Sequence, residues 1–297
     1  MRISSLRKSV FRILGLLAVL DSLVPLGAAT VACSSDSTLG VINTDGGCYA
    51  TDKLFSAFAL TGSSGSDGHY PTNVSQIEMQ SSGGGYSGNQ IGQMDETFTT
   101  PGTRVWEETG GSTASGGFSY VASVDSNLTT NPDYQAPSAG MHWVISSIQV
   151  AGATFLSSGA NTGNVITITE QFCLNQTTIT VGCTGGSISE METGGTPTAT
   201  VVFAPGTITP GIGTYDAQSE SFIFNAPYLF QQIAIEDTIT FNRAAGTLEV
   251  TSLDNYFGEE AITPEPSTWM LVGAGIFLAG FSRRFVCDNT TSRGADK

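Results

Sequence analysis

The chain has 297 residues, of which 12% are charged, and its formal net charge is −15. The 11 basic residues concentrate at the two ends, so that only three basic residues face 23 acidic ones between Cys33 and Pro266, a net charge of −20. This charge repels nucleic acid and anionic lipid and excludes a nucleic-acid-binding function.

The first 32 residues have the pattern of a secretory signal peptide. Basic residues up to Arg12 precede the apolar run 13–20, and small residues before position 33 provide a cleavage site after Ala29 or Ala32. A buried N-terminal helix is the alternative interpretation. The pattern predicts a signal peptide over residues 1–32 and export from the cytoplasm.

The central region alternates apolar and polar side chains with a period of two, which is typical of half-buried antiparallel strands. In residues 165–174 the even positions are apolar except Glu170. In residues 231–241 the odd positions are apolar except Gln231 and Asp237. The pattern therefore predicts strands rather than helices.

Further strands are expected throughout residues 33–262, separated by clusters of Gly, Asn, Asp, Ser and Pro. No long amphipathic helix is expected there, and no repeat of fixed period is visible. The expected strands are 74–80, 118–124, 142–150, 198–203, 221–224 and 247–253. We predict one all-β domain over 33–262, an antiparallel β-sandwich of jelly-roll-like order.

The C-terminus has three parts in fixed order. A rigid polar element at 263–268 precedes an uninterrupted apolar stretch at 269–281, and two arginines follow. The apolar stretch needs its neighbours to reach the roughly 20 residues of a membrane helix. We predict a sorting segment with a transmembrane helix at 263–285, which places the acidic domain outside and leaves a polar cytoplasmic tail at 286–297.

The elements Pro264-Glu265-Pro266, a Gly-rich apolar helix and Arg283-Arg284 resemble the PEP-CTERM sorting domain, which is also described as an ice-binding protein C-terminal domain. The resemblance implies recognition by an exosortase-type processing enzyme at the inner membrane of a Gram-negative bacterium. It also implies a destination at the cell surface or in the extracellular matrix, with extracellular polysaccharide as a potential partner. Family members usually end just after the basic residues, whereas a dozen residues follow them here.

Segments inside the domain resemble the cargo of this sorting family as well. Residues 48–58 carry a Cys…Asp-Lys-x-Phe-Ser-x-Phe pattern, and residues 167–173 with Cys183 resemble a central strand and cysteine loop. Residues 235–239 and 253–257 resemble the last two strands. The resemblance assigns no chemistry to these segments.

Four of the five cysteines fall in the predicted domain. Export brings them into an oxidising compartment, where disulfides form. Four cysteines allow three connectivities, and proximity favours Cys33–Cys48 and Cys173–Cys183. Each closure would stabilise the fold by about 3 kcal/mol. Cys287 lies on the predicted cytoplasmic side and is expected to stay reduced.

Reactive side chains form no recognisable catalytic set. His69 and His142 are the only histidines, and we interpret both as ordinary loop or strand residues rather than as catalytic bases or metal ligands. The acidic pairs Glu107-Glu108 and Glu259-Glu260 need not converge on one site, because adjacent residues of a strand point to opposite faces. Chance pairs are expected among the 23 acidic residues between Cys33 and Pro266, so we interpret them as solvated surface. We expect no enzyme activity, no metal and no cofactor.

The alternative interpretation is a carbohydrate-binding or carbohydrate-active β-sandwich. Exposed aromatic side chains would form its sugar-stacking platform, with Trp106 as one surface contact and Trp143 assigned to the core. A glycosidase would need two convergent carboxylates, which the sequence does not identify.

Overall fold

The computed structural model describes a defined part of the chain. The described residues are 31–33, 37–64, 70–83, 86–87, 90–99, 106–110, 113–129, 131–158, 163–194, 200–225 and 230–263. Residues 1–30 of the predicted signal peptide, and the predicted membrane helix and tail from 264 onward, lie outside them. The predicted boundary at residue 32 is wrong, because Val31 and Ala32 form a strand that pairs with Cys48 and Tyr49 of the domain. Within the described residues, no helix has the length and hydropathy needed to cross a bilayer.

Strands dominate the described residues. Their bounds are β1 Val31–Ala32, β2 Ser37–Thr38, β3 Cys48–Ala50, β4 Lys53–Ser64, β5 Glu78–Gly83, β6 Tyr86–Ser87, β7 Gln90–Thr99, β8 Trp106–Glu108, β9 Thr113–Val124, β10 His142–Ser158, β11 Val165–Leu174, β12 Gly185–Thr193, β13 Thr200–Ile208, β14 Gly213–Asp216, β15 Ser221–Phe224, β16 Gln232–Asn242 and β17 Thr247–Ile262. A short helix, α1, spans Leu39–Thr44, and a 3-10 helix spans Val74–Gln76.

The strands form two sheets. The first sheet has the order β1-β3-β4-β9-β16-β11-β12-β13. The second has the order β14-β15-β10-β17-β7-β5-β2, with β6 also on β7 and β8 also on β17. The central pairs β11–β16, β9–β16 and β10–β17 are antiparallel, whereas β1 runs parallel to β3.

One hydrophobic core lies between the two sheets. Phe55 on β4 packs against Phe257 on β17 with ring centroids 5.7 Å apart, and Phe98 on β7 packs against Phe118 on β9 at 4.7 Å. Side chains from both sheets belong to the same buried cluster. The predicted all-β fold with two facing, largely antiparallel sheets is confirmed, while the jelly-roll-like strand order stays a prediction.

The sequence patterns located several strands well. β11 and β15 have the predicted bounds, and β10 begins at His142 as expected. The strand expected at 74–80 is wrong in its first half, where the 3-10 helix lies. Asn73 caps that helix by accepting a hydrogen bond from the backbone N–H of Ser75, 3.0 Å away, and Gln76 completes a capping box.

Trp106 is a further correction. It is fully buried rather than exposed, and its ring stacks on Phe118 with centroids 6.3 Å apart. The short strand β8 pairs with β17, where Trp106 is opposite Val250, and this pairing turns the indole into the core. Trp143 is 1% exposed and is a buried residue, as predicted.

The acidic pairs were also interpreted wrongly as solvated surface. Glu107 and Glu108 are buried in β8, and Glu259 is buried in β17. Ten acidic side chains among the described residues are buried, so they do not contribute to a solvated acidic surface. These are Asp52, Glu107, Glu108, Glu170, Glu190, Glu192, Asp237, Glu249, Asp254 and Glu259.

Candidate functional site between the sheets

The four cysteines of the domain form two disulfides, Cys33–Cys48 and Cys173–Cys183. These are the pairs that proximity favoured. The first bond fixes the start of the domain to β3, and the second closes the loop between β11 and β12. The sorting residues Pro264, Glu265, Pro266, Arg283 and Arg284 lie outside the described residues.

A buried lysine lies between two carboxylates inside the sandwich; we call Asp52, Lys53 and Glu259 the lysine cluster. Lys53 Nζ lies 2.9 Å from Oδ1 of Asp52 and also contacts Oε1 of Glu259. The side chains of all three have no exposed surface. Because Lys53 belongs to the first sheet and Glu259 to the second, their contact links the two sheets across the core.

The β3–β4 hairpin positions the Asp52-Lys53 half of this cluster. Thr51 adopts a positive φ of 54°, which allows the two-residue turn between Ala50 and Lys53. The amide side chain of Asn131 donates to the Thr51 carbonyl at 3.2 Å, and the Asp125 N–H donates to the Asp52 carbonyl at 2.8 Å. The turn is therefore held against the neighbouring loop, with Asp52 directed inward.

Glu259 reaches the core through the ordinary alternation of β17. Phe257, Glu259 and Ala261 are buried at every second position, so Phe257 and Glu259 face the same side of the strand, toward Phe55 and Lys53 respectively. The extra residue at the nearby register shift lies on β10, where Ile145 is opposite Glu259 and Ser147 is opposite Gly258.

Apolar side chains close the lysine cluster on two sides. The contact between Phe55 and Phe257 lies on one side along β17. Ala261 lies beyond Glu259 on the other side and packs with Trp143, whose indole N–H donates to the Gln135 carbonyl at 2.7 Å. This closure keeps the cluster in an environment where charges are poorly solvated.

Burial and the opposite charges act against each other in this cluster. Burial raises the pKa of Glu259 to about 8, and Asp52 adds to that increase while Lys53 opposes it. Burial by itself would lower the pKa of Lys53, but the carboxylates of Asp52 and Glu259 outweigh burial and raise it. Glu259 therefore carries a proton at neutral pH beside a lysine that remains charged.

A second buried acidic pair, Glu170 and Asp237, lies in the middle of the first sheet; we call it the carboxyl pair. The two residues are direct partners in the register of β11 and β16, and neither is exposed. They are the two acidic exceptions in the alternating patterns of these strands. Both side chains face the core, because their strand positions share a face with Ile168 and Ile239.

Asn255 on the second sheet reaches across to this pair. Its amide N–H group donates to Oδ2 of Asp237 at 2.7 Å and lies 2.6 Å from the Tyr120 hydroxyl. Both carboxyl oxygens of Glu170 and Oδ1 of Asp237 have no hydrogen-bond partner within the described protein. Such groups strongly favour the protonated state, which is neutral and can donate a hydrogen bond.

Protonation of the carboxyl pair follows from its burial. Burial, followed by the charge of Asp237, raises the pKa of Glu170 well above its usual value. Burial also raises the pKa of Asp237 to about 8, although the hydrogen bond from Asn255 lowers it. The pair therefore holds protons at neutral pH that ordinary carboxyl groups would have lost.

The lysine cluster and the carboxyl pair were only partly predictable from the sequence. Four segments that resemble cargo of the sorting family supply the residues of both clusters. Asp52 and Lys53 lie in 48–58, Glu170 in 167–173, Asp237 in 235–239 and Asn255 in 253–257. The structure places Asp52 and Lys53 in the lysine cluster, and Glu170, Asp237 and Asn255 at the carboxyl pair. The sequence signal was a charged residue at an inward position of an alternating strand.

Metal binding has no support in the described residues, where no group of three His, Cys, Asp or Glu side chains is arranged to hold an ion. An open groove of about 600 Å³ lies beside the Cys173–Cys183 loop, between Phe172, Thr180 and Pro210. It is separate from both buried clusters, and Phe172 is the aromatic residue of its lining.

The strand β17 ends at Ile262, one residue before the C-terminal polar element begins. The family profile of the PEP-CTERM protein-sorting motif matches residues 263–284. The chain carries a PEP-CTERM sorting signal. The motif indicates that the protein is exported and that exosortase recognises it. It also implies membrane-associated sorting of the protein to the cell surface. No curated protein and no solved structure matches the chain.

Proposed function

We propose that this PEP-CTERM protein is a non-enzymatic component of the cell surface or extracellular matrix of a Gram-negative bacterium, and that its β-sandwich is its functional body. The observation that carries the proposal is the direct junction between β17 and the sorting motif at residue 263. Exosortase would thus act immediately next to a folded, disulfide-linked domain at the inner membrane.

The placement of the ionisable groups supports a role without catalysis. Displaced pKa values often mark active sites, but an active site also needs an opening for its substrate. Glu170, Asp237 and Glu259, whose pKa values are raised, lie between the sheets and out of contact with solvent. We interpret them as parts of the domain's interior.

The burial of Trp106 argues against the carbohydrate-binding alternative. This residue was its best candidate for a surface contact, and it is part of the core. Polysaccharide remains a proposed neighbour of the mature protein outside the cell.

The test follows the protein through export. The wild-type chain and a Pro264→Ala/Glu265→Ala variant are expressed in a host that contains exosortase, and membrane and released fractions are analysed by mass spectrometry. We expect the wild-type protein to lose both ends and to reach the surface or medium, while the variant keeps its C-terminus and stays in the membrane. An Ile262→Val variant is the control for a change outside the motif. Wild-type protein retained in the cytoplasm with Met1 and Lys297 intact would refute the proposal.

A further inference from the structure

Lys53 and Glu259 connect the two sheets at a point sealed from solvent. Lys53 begins β4, the first long strand of the first sheet, and Glu259 lies near the end of β17, the last strand of the second sheet. The amine of Lys53 contacts the carboxyl group of Glu259 and lies 2.9 Å from Oδ1 of Asp52. An amine, a carboxyl carbon and a second carboxylate are therefore held together in the core.

We propose that Lys53 and Glu259 condense to form an intramolecular isopeptide bond between the first long strand and the last strand, with Asp52 as the proton acceptor. This inference concerns a covalent modification of the domain and goes beyond its proposed role at the surface. It holds or fails independently of where the protein is sorted.

The reaction is balanced within the cluster. Lys53 passes one proton from Nζ to Asp52, and the resulting neutral amine attacks the carboxyl carbon of protonated Glu259. The Nζ–Cδ bond forms and the bond from Cδ to the hydroxyl oxygen breaks, and a second proton from Nζ joins that hydroxyl group to give one water molecule. Asp52 keeps the proton that it received, so one ammonium and one carboxylate are replaced by neutral groups.

The environment favours both the rate and the direction of this step. Burial raises the pKa of Glu259 to about 8, against the opposing effect of Lys53, so the carboxyl group carries its proton at neutral pH. Groups held in reactive contact behave as if present at about 10⁵–10⁸ M. Charges in the core are costly, and an amide with its water expelled removes that cost. The apolar contacts around Phe257 and Trp143 keep bulk water from hydrolysing the bond.

The assignment of Asp52 follows from its position. Asp52 precedes Lys53 in the turn of the β3–β4 hairpin, so an amide between these two neighbours would join nothing across the core. Its Oδ1 is nevertheless close enough to Lys53 Nζ to accept a proton directly.

Tryptic peptides of the exported protein, unfolded and with its disulfides reduced, test the bond directly. Without the bond, trypsin cleaves after Lys53, Arg104 and Arg243. With the bond, Lys53 is not cleaved, and the peptide ending at Arg104 stays joined to the peptide beginning at Ala244. We expect the joined species, with a mass below the sum of the two peptides by one water. Complete cleavage after Lys53 and a free Ala244 peptide from folded wild-type protein would overturn the proposal.

Variants separate the bond from the fold. Glu259→Gln is expected to give a joined species of the same mass as wild type, because the glutamine loses ammonia where the glutamate loses water. Glu260→Gln, one residue along the same strand, is the matched control and should join normally. Lys53→Arg should give no joined peptides, with thermal unfolding used to verify that it folds. Joined peptides from Lys53→Arg would show that another residue forms the link and would overturn the assignment.

The rate of joining tests Asp52. Asp52→Asn keeps the size of the side chain but removes the proton acceptor. Starting from chains purified unfolded and unjoined from inclusion bodies, we expect joining during refolding to slow about 10²-fold or more. A variant that joins as fast as the wild-type protein would overturn the role given to Asp52.

Discussion

Glu170 and Asp237 lie opposite each other on neighbouring strands in the centre of the first sheet, and the hydrogen bond from Asn255 ties Asp237 to the second sheet. Two carboxyl groups in such contact resist ionising together, since each charge would add to the burial cost of the other. The pair is therefore a proton-holding element of the core, and it makes the stability of the domain depend on pH.

We predict that the domain becomes less stable as the pH rises from about 5 to about 9. The pKa of Asp237 is raised to about 8, and burial also raises that of Glu170, whereas carboxyl groups of the unfolded chain titrate near 4. The folded state binds more protons in this interval, so the free energy of unfolding falls with pH, on the order of 1 kcal/mol per pH unit for each titrating group. Urea unfolding at a series of pH values measures this fall, and a flat or rising profile would contradict it.

The second prediction concerns the variant Asp237→Asn. An amide keeps the size and hydrogen-bonding capacity of the side chain but cannot ionise, so the variant should lose part of the decline in stability between pH 6 and 9. It should exceed the wild-type protein in stability at the upper end of that range. Thr238→Ser is the matched control, since it changes a neighbouring residue on the opposite face of β16 and removes no ionisable group. An Asp237→Asn profile parallel to the wild-type profile would show that Asp237 does not titrate in this range.

Signal-peptide cleavage is predicted to occur after Ala29 rather than after Ala32. Val31 and Ala32 form β1, which pairs with Cys48 and Tyr49 on β3. Cleavage after Ala32 would remove this edge strand of the first sheet. N-terminal sequencing of the exported protein should therefore begin at Thr30, and a start at Cys33 would contradict the prediction. An Ala29→Leu variant should be processed poorly, because the peptidase requires a small residue there.

The first disulfide is predicted to contribute about 3 kcal/mol to the free energy of unfolding, since it closes a loop with a sequence separation of 15. A Cys33→Ala/Cys48→Ala variant should show a lower urea midpoint with a similar slope. The Cys173→Ala/Cys183→Ala variant, with a separation of 10, should lose somewhat less. Cys287→Ala lies outside the domain and serves as the unaffected control. Equal midpoints for all of these proteins would contradict the prediction.

Much of the fold follows from local patterns. The period of two in residues 165–174 located β11, because alternation reports directly which side of a strand faces the core. β8 and β12 were missed, since three residues are too few to show a period and β12 is rich in Gly and Ser. Trp106 was misplaced for the same reason.

The sequence by itself determined the sorting signal of the protein, the all-β class of its domain and the cysteine pairs that proximity favours. Each of these depends on residues that are near one another in the chain. Tertiary structure alone decided that Glu170 meets Asp237 and that Lys53 meets Glu259. Those contacts depend on strand register and on the packing of one sheet over the other, which join residues far apart in sequence. Ten acidic side chains that composition had assigned to the surface are buried for the same reason.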